Sequence, residues 1–208
     1  MTSDIPYPLL MSIQKATMAH RYRGVAMLKN PFDLALYPLL LAQARPRTLI
    51  EIGSHQGGSA LWFADTAAAL GFPMHVHSID LAEVDGVHHP EVTFLRGDAR
   101  DLRTVLGDDR VAALPRPLLV VEDSDHRFGT CLAVLAFFDR WLRPGEYIVV
   151  EDGILSDMQV AELYDGGPLR AIEQFLAATG GRYVVDREFC DYFGRNVTWN
   201  VDGYLRRV

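Results

Sequence analysis

Apolar residues along this chain alternate between short continuous runs and longer amphipathic stretches, from residue 31 onward. Asn30-Pro31 reads as a helix cap followed by proline in the first turn. It opens the helix PFDLALYPLLLAQA, which the pattern ends near Arg45-Pro46, with a kink expected at Pro38. Strands are predicted at Thr48 to Ile52, Met74 to Ile79, Val92 to Leu95, Leu118 to Val121 and Tyr147 to Val150. The helices between them are placed at about Ser59 to Leu70 and Thr130 to Trp141. Runs such as Leu118 to Val121 carry no polar residue, as in parallel strands buried on both faces. The β-α-β-α rhythm therefore predicts an α/β fold, a doubly wound parallel sheet with right-handed crossovers.

The last third reads differently. Residues 153–167 form a loop with some helical content, Pro168 to Ala178 a helix, and strands near Arg182 to Asp186 and Val197 to Leu205 are expected to pair antiparallel. Residues 1–30 are read as an N-terminal arm or cap, and residues 153–180 as lid and substrate region of a single domain spanning 1–208.

Composition narrows the function classes. Apolar residues make up 49%, charged residues 23%, and the net charge is −7, so a basic nucleic-acid-binding stripe is not expected. No apolar stretch is long enough to span a bilayer, and the N-terminus lacks the pattern of a secretory signal. Cys131 and Cys190 stand far apart in no metal-type spacing and read as reduced, buried thiols. A cytoplasmic location is expected.

In open α/β sheets ligands bind beyond the carboxyl ends of the strands, where this chain collects its polar residues. The first strand ends in Glu51-Ile52-Gly53-Ser54-His55-Gln56-Gly57-Gly58-Ser59. Gly53 allows a sharp turn where a side chain would block a ligand, and Gly57 and Gly58 allow close approach at the next helix start. Without a ligand the same residues make a plain strand-to-helix turn. Asp80 closes the second strand, where an acid can accept from both hydroxyls of a ribose or simply be solvated. Asp98 can accept from an adenine amino group or cap the helix from Arg100 onward. Asp123, Asp125 and His126 follow the fourth strand, and Glu151 and Asp152 the fifth. If those strands are neighbours the carboxylates converge, and they repel unless protons or a cation compensate. Hard oxygen ligands point to Mg²⁺ or a similar ion, with His126 placed to take a proton near neutral pH. The competing reading is a solvated acidic rim.

With these residues in place the chain resembles the cephalosporin hydroxylase family of class I S-adenosylmethionine (SAM)-dependent methyltransferases, which includes sugar and natural-product O-methyltransferases. The matching segments are Asn30-Pro31-Phe32-Asp33, LIEIGSHQGGSALWFAD, the Asp80 strand end, VVEDSDH and GEYIVVED. The resemblance implies a Rossmann-like, mostly parallel seven-stranded sheet with antiparallel C-terminal strands. It implies that Glu51, Gly53, Ser54, Gly57 and Ser59 surround the amino-acid end of SAM, Asp80 its ribose, and Asp98 with Ala99 its adenine. It also implies Asp123, Glu151 and Asp152 as metal ligands and His126 as base, with Asp123 preferred over Asp125. A small-molecule hydroxyl acceptor and a homo-oligomer are expected on the same ground.

Two other classes remain at this stage. A nicotinamide-dependent oxidoreductase shares the glycine turn and the acid on strand two, although the spacing G-x-x-x-G-G differs from the dinucleotide fingerprint. A non-catalytic SAM-binding module has little reason to keep buried like charges. Tyr164, Phe189, Tyr192, Phe193 and Trp199 are candidates for an acceptor pocket.

Overall fold

The computed structural model describes residues 2–208. Its elements run α1 (Tyr7–Thr17), the hairpin β1 (Arg21–Tyr22) and β2 (Val25–Ala26), α2 (Pro31–Ala44), β3 (Thr48–Ile52), α3 (Gly58–Ala69), β4 (His75–Asp80) and β5 (Val92–Arg96). They continue with α4 (Leu102–Leu106), α5 (Asp108–Ala113), β6 (Leu118–Glu122), α6 (Phe128–Asp139), β7 (Tyr147–Val150), α7 (Gly167–Thr179), β8 (Tyr183–Val185), α8 (Arg187–Cys190) and β9 (Tyr204–Arg207).

One sheet organises them, in the order β5-β4-β3-β6-β7-β9-β8. The first five strands are mutually parallel, whereas β9 pairs antiparallel with both β7 and β8. This is the expected doubly wound sheet with antiparallel C-terminal strands. Chain direction across the sheet reverses between β3 and β6, the switch point where such folds open a crevice.

Side chains alternate between the two faces of the sheet, and helices cover both, so every residue of β3 and β6 is buried and most are apolar. Ile50, Ile52, Val120 and Ile148 face one helical layer, with Val134 and Phe138 of α6 and Ile172 and Phe175 of α7. Leu49, Val76, Leu119, Val121 and Val149 face the other, packing on Leu36 and Leu40 of α2 and Phe63 of α3. Each fully buried side chain of this kind contributes roughly 1.5–3 kcal/mol. A third cluster, with Ile5, Leu10, Ile154, Leu155, Met158, Trp199 and Val201, fastens the N-terminal segment to the loops after β7 and before β9.

The Asn30 cap is present, accepting hydrogen bonds from the amides of Phe32 and Asp33, and α2 continues through Pro38 to Ala44. The expected long strand at 197–205 is a difference. Only Tyr204–Arg207 is extended, and the residues before it turn. Asp33, fully buried on α2, draws this segment in by accepting from the Thr198 hydroxyl, the Trp199 amide and the Tyr204 hydroxyl. Residues 7–17, within the stretch read as an arm or cap, form α1. The lid region is partly packed. Gly153, Ile154 and Leu155 are buried, and Asp157 accepts from the Thr2 and Ser3 amides, while Leu163 is exposed. No helix among the described residues is long and apolar enough to cross a membrane.

Candidate active site

Backbone hydrogen bonds gather the strand ends. The Gly53 amide donates to the Ile79 carbonyl (2.7 Å), the Asp123 amide to Ile52 (2.8 Å) and the Glu151 amide to Glu122 (2.9 Å). The glycine turn and the two acidic strand ends therefore meet in one place. Beyond them opens a cavity of about 660 Å³, within the range of small-molecule and cofactor sites.

Among the residues expected around SAM, Gly53, Ser54, Ser59, Asp80, Asp98 and Ala99 line this cavity. Glu51 and Gly57 do not. Glu51 is buried behind the wall, where Ser78 donates to it, and burial raises its carboxyl although Lys29 opposes the shift. The reason first given for the glycines also changes. A Cβ on Gly53, whose φ is +105°, would lie 1.8 Å from the Asp123 carbonyl oxygen. One on Gly57 would lie 2.8 Å from the Phe94 ring. Neighbouring protein requires both glycines, before any ligand does.

Asp80 accepts from the His55 amide (2.8 Å) with one oxygen and from the Ala82 amide (2.9 Å) with the other. Each oxygen keeps a lone pair for a hydroxyl. Asp98 caps the turn at Ala99–Asp101 through the Arg100 amide and also pairs with the Arg100 guanidinium at 2.7 Å. That ion pair holds its carboxyl down at about 2. The capping reading of Asp98 is thus present in the structure, at a residue that also borders the cavity.

The carboxylates converge around a residue that spacing did not single out. Lys29, just before the Asn30 cap, places its Nζ 2.6 Å from Asp123 Oδ2 and 2.6 Å from Glu151 Oε1, with its side chain 2% exposed. Burial disfavours its charge, but Asp123 and Glu151 outweigh burial and hold the ammonium well above its ordinary range. Tyr37 on α2 also donates to Glu151 Oε1. Burial, then the charge of Asp123, pushes the Glu151 carboxyl up to about 7, against the pull of Lys29. The compensating cation demanded by a knot of acids is therefore, in part, the protein's own. No motif marks Lys29; its partners are more than ninety positions away, so only the fold brings them together.

His126 adopts a left-handed backbone (φ +58°) and directs Nδ1 toward Asp152 Oδ2 at 3.3 Å, its ring edge against Tyr164. Burial lowers its pKa, but Asp152 and Asp123 together carry it above the ordinary imidazole value. Asp123, His126 and Asp152 each offer a ligand atom within 4.8 Å of the others, and all three line the cavity. Asp123 and Asp152 supply hard oxygen ligands suited to Mg²⁺, with Glu151 adjoining behind Lys29. Asp125 is exposed and accepts from the Arg127 amide.

Of the candidate aromatics, Tyr164 and Trp199 border the cavity, joined by Gln14, Thr17 and Met18 at the end of α1. Phe189 is instead core, 2% exposed, and stacks on Tyr204. Tyr192 and Phe193 lie on the surface away from the cavity lining.

A family profile described as "Rhamnosyl O-methyltransferase/CmcI" matches residues 14–208. The chain belongs to this family. The family match leaves nothing in favour of the nicotinamide reading. Among relatives of this family member, a rhamnosyl O-methyltransferase of Mycobacterium leprae (strain TN) is 30% identical over 195 residues, covering 89% of this chain and 82% of the relative. One from Mycobacterium tuberculosis is 28% identical over 178 residues, covering 83% and 73%. A structure of CmcI with Mg and SAM superposes with a TM-score of 0.71 at 27% identity, covering 92% of this chain and 77% of that one. The class I methyltransferase fold read from the sequence is confirmed, and both expected cofactors, SAM and Mg²⁺, are those named for that neighbour.

Proposed function

We propose that this rhamnosyl O-methyltransferase/CmcI family member transfers the methyl group of SAM to a hydroxyl oxygen of a sugar or sugar-bearing natural product. One observation carries this reading. A single cavity is bordered by the turn at Gly53 and Ser54, by Asp80 and by the Asp123, His126, Asp152 cluster. A cofactor site and a site for ionising an acceptor thus share one space. The names of the mycobacterial relatives supply the acceptor class.

In this reading Ser54 and Ser59 receive the amino-acid end of SAM, Asp80 the ribose hydroxyls, and Asp98 with Ala99 the adenine side. Asp123, Asp152 and Glu151 would hold Mg²⁺. When bound, SAM supplies an electrophilic methyl on a sulfonium, and Mg²⁺ supplies charge to orient the acceptor hydroxyl and acidify it. Asp152 steadies the His126 ring at Nδ1, which leaves Nε2 to take the hydroxyl proton. Tyr164 and Trp199, with the end of α1, bound the acceptor side. Fixing donor and acceptor in one line is the main contribution expected of the protein.

The test is methyl transfer from labelled SAM to a panel of rhamnosides and other glycosides, with Mg²⁺ and with chelator. The expected result is label in an ether linkage on a sugar. Asp123→Ala should abolish metal-stimulated turnover while SAM still binds. Full activity of that variant in chelator would remove the metal from the reading.

A further inference from the structure

The knot of acids already contains a cation. Glu151 does not border the cavity, whereas Lys29, Asp123 and Asp152 do. Lys29 therefore stands between the cavity and Glu151, with its ammonium bonded to Glu151 Oε1 and Asp123 Oδ2 at 2.6 Å each. An ion entering through the cavity meets Asp123, His126 and Asp152 first. It gains Glu151 only where the ammonium now sits.

We infer that Lys29 and the divalent ion are alternative occupants of the space between Asp123 and Glu151, so that full metal coordination requires the lysine to withdraw into the cavity. This rests on the metal reading given above. Mg²⁺ needs oxygens at about 2.0–2.1 Å in near-octahedral array, and an ammonium on the same two oxygens would stand in near contact with it. Two cations cannot share that seat without severe repulsion, even at the dielectric of a partly buried site.

The choice of residue fits the role. Only two of the chain's 20 basic residues are lysines, Lys15 and Lys29. A compact ammonium on a four-carbon stem fits between two carboxylates and can swing away, whereas a guanidinium would lock them in a planar fork. The lysine keeps the acids paired before metal arrives, since uncompensated buried charges are destabilising. Lys29 itself lines the cavity, so the space its head would enter adjoins it.

The experiment is titration calorimetry with Mn²⁺ alone, without SAM or acceptor, at mildly alkaline pH. Wild type is compared with Lys29→Met, which keeps the stem and removes the charge. The variant should bind Mn²⁺ at least about tenfold tighter, because the competitor is gone. Its melting temperature without metal should fall and should rise further with Mn²⁺ than that of wild type. Equal or weaker Mn²⁺ binding by the variant overturns the competition while leaving the metal site standing. No Mn²⁺ binding by either protein overturns the metal reading itself, and this inference with it.

Should the variant fail to fold, amine labelling of wild type read by peptide mass spectrometry gives the same answer. Lys15 is exposed and serves as internal control. Lys29 should be protected without metal and labelled with saturating Mn²⁺. Protection in both states, with calorimetry showing bound Mn²⁺, refutes the withdrawal.

Discussion

Replacing Gly53 by alanine separates two reasons for a glycine at the end of β3. One is room for a ligand. The other is the neighbouring strand end, since the added Cβ would lie 1.8 Å from the Asp123 carbonyl oxygen and 2.5 Å from its carbonyl carbon, at a φ of +105°. Both atoms are backbone, so no side-chain rotation relieves the contact. Ordinary van der Waals contact would require the ends of β3 and β6 to part by more than an ångström. An L-residue forced into this backbone region costs about 1–2 kcal/mol, and overpacking a well-filled interior about 1–3 kcal/mol more. The sum, about 2–5 kcal/mol, is a large share of the stability of an ordinary domain. With a urea slope of about 3 kcal/mol/M, the unfolding midpoint of Gly53→Ala should drop by roughly 1 M without SAM present. Equilibrium unfolding followed by tryptophan fluorescence and circular dichroism measures it. A variant that unfolds at the wild-type midpoint yet no longer binds SAM would show the glycine to serve the ligand and not the fold.

Other consequences are equally direct. Asp80→Asn removes a charged acceptor from the cavity wall and one of the two oxygens that accept from the His55 and Ala82 amides. It should weaken SAM binding about 10- to 100-fold by calorimetry and lower the melting temperature slightly, both bonds being exposed. His126→Gln should lower kcat by about 10²–10⁴ at unchanged SAM affinity; a wild-type rate would show that another group takes the proton. Asp33 is a stability switch, because burial pushes its carboxyl from 3.8 up to about 6 despite its hydrogen bonds. A raised acid pKa means that the folded state binds its proton more tightly. The benefit is full below about 3.8 and is lost as pH rises through about 6. Wild type should therefore gain about 2 kcal/mol relative to Asp33→Asn between pH 7 and pH 4.5, by urea unfolding at each pH. Parallel curves for the two proteins would place the Asp33 carboxyl at its ordinary value.

Much of this protein is written locally. The mostly apolar strand at Thr48 to Ile52, the apolar run at Leu118 to Val121, the Asn30-Pro31 cap and the glycine turn each specify an element from a few neighbouring residues, and the parallel sheet follows from their rhythm. The acids at the strand ends were legible too, because a chain that ends parallel strands of one sheet in Asp80, Asp123 and Glu151 must bring them to one edge. What neighbours along the chain could not convey is partnership over long separations. Lys29 sits in an unremarkable stretch and acquires its meaning only when α2 docks beside β6 and β7. Asp33 bends residues 198–200 out of the strand that their own pattern suggests, because a buried carboxylate must find donors wherever the fold offers them. Local sequence sets backbone geometry and polarity. Which charge answers which, and which glycine yields to which carbonyl, is decided by packing.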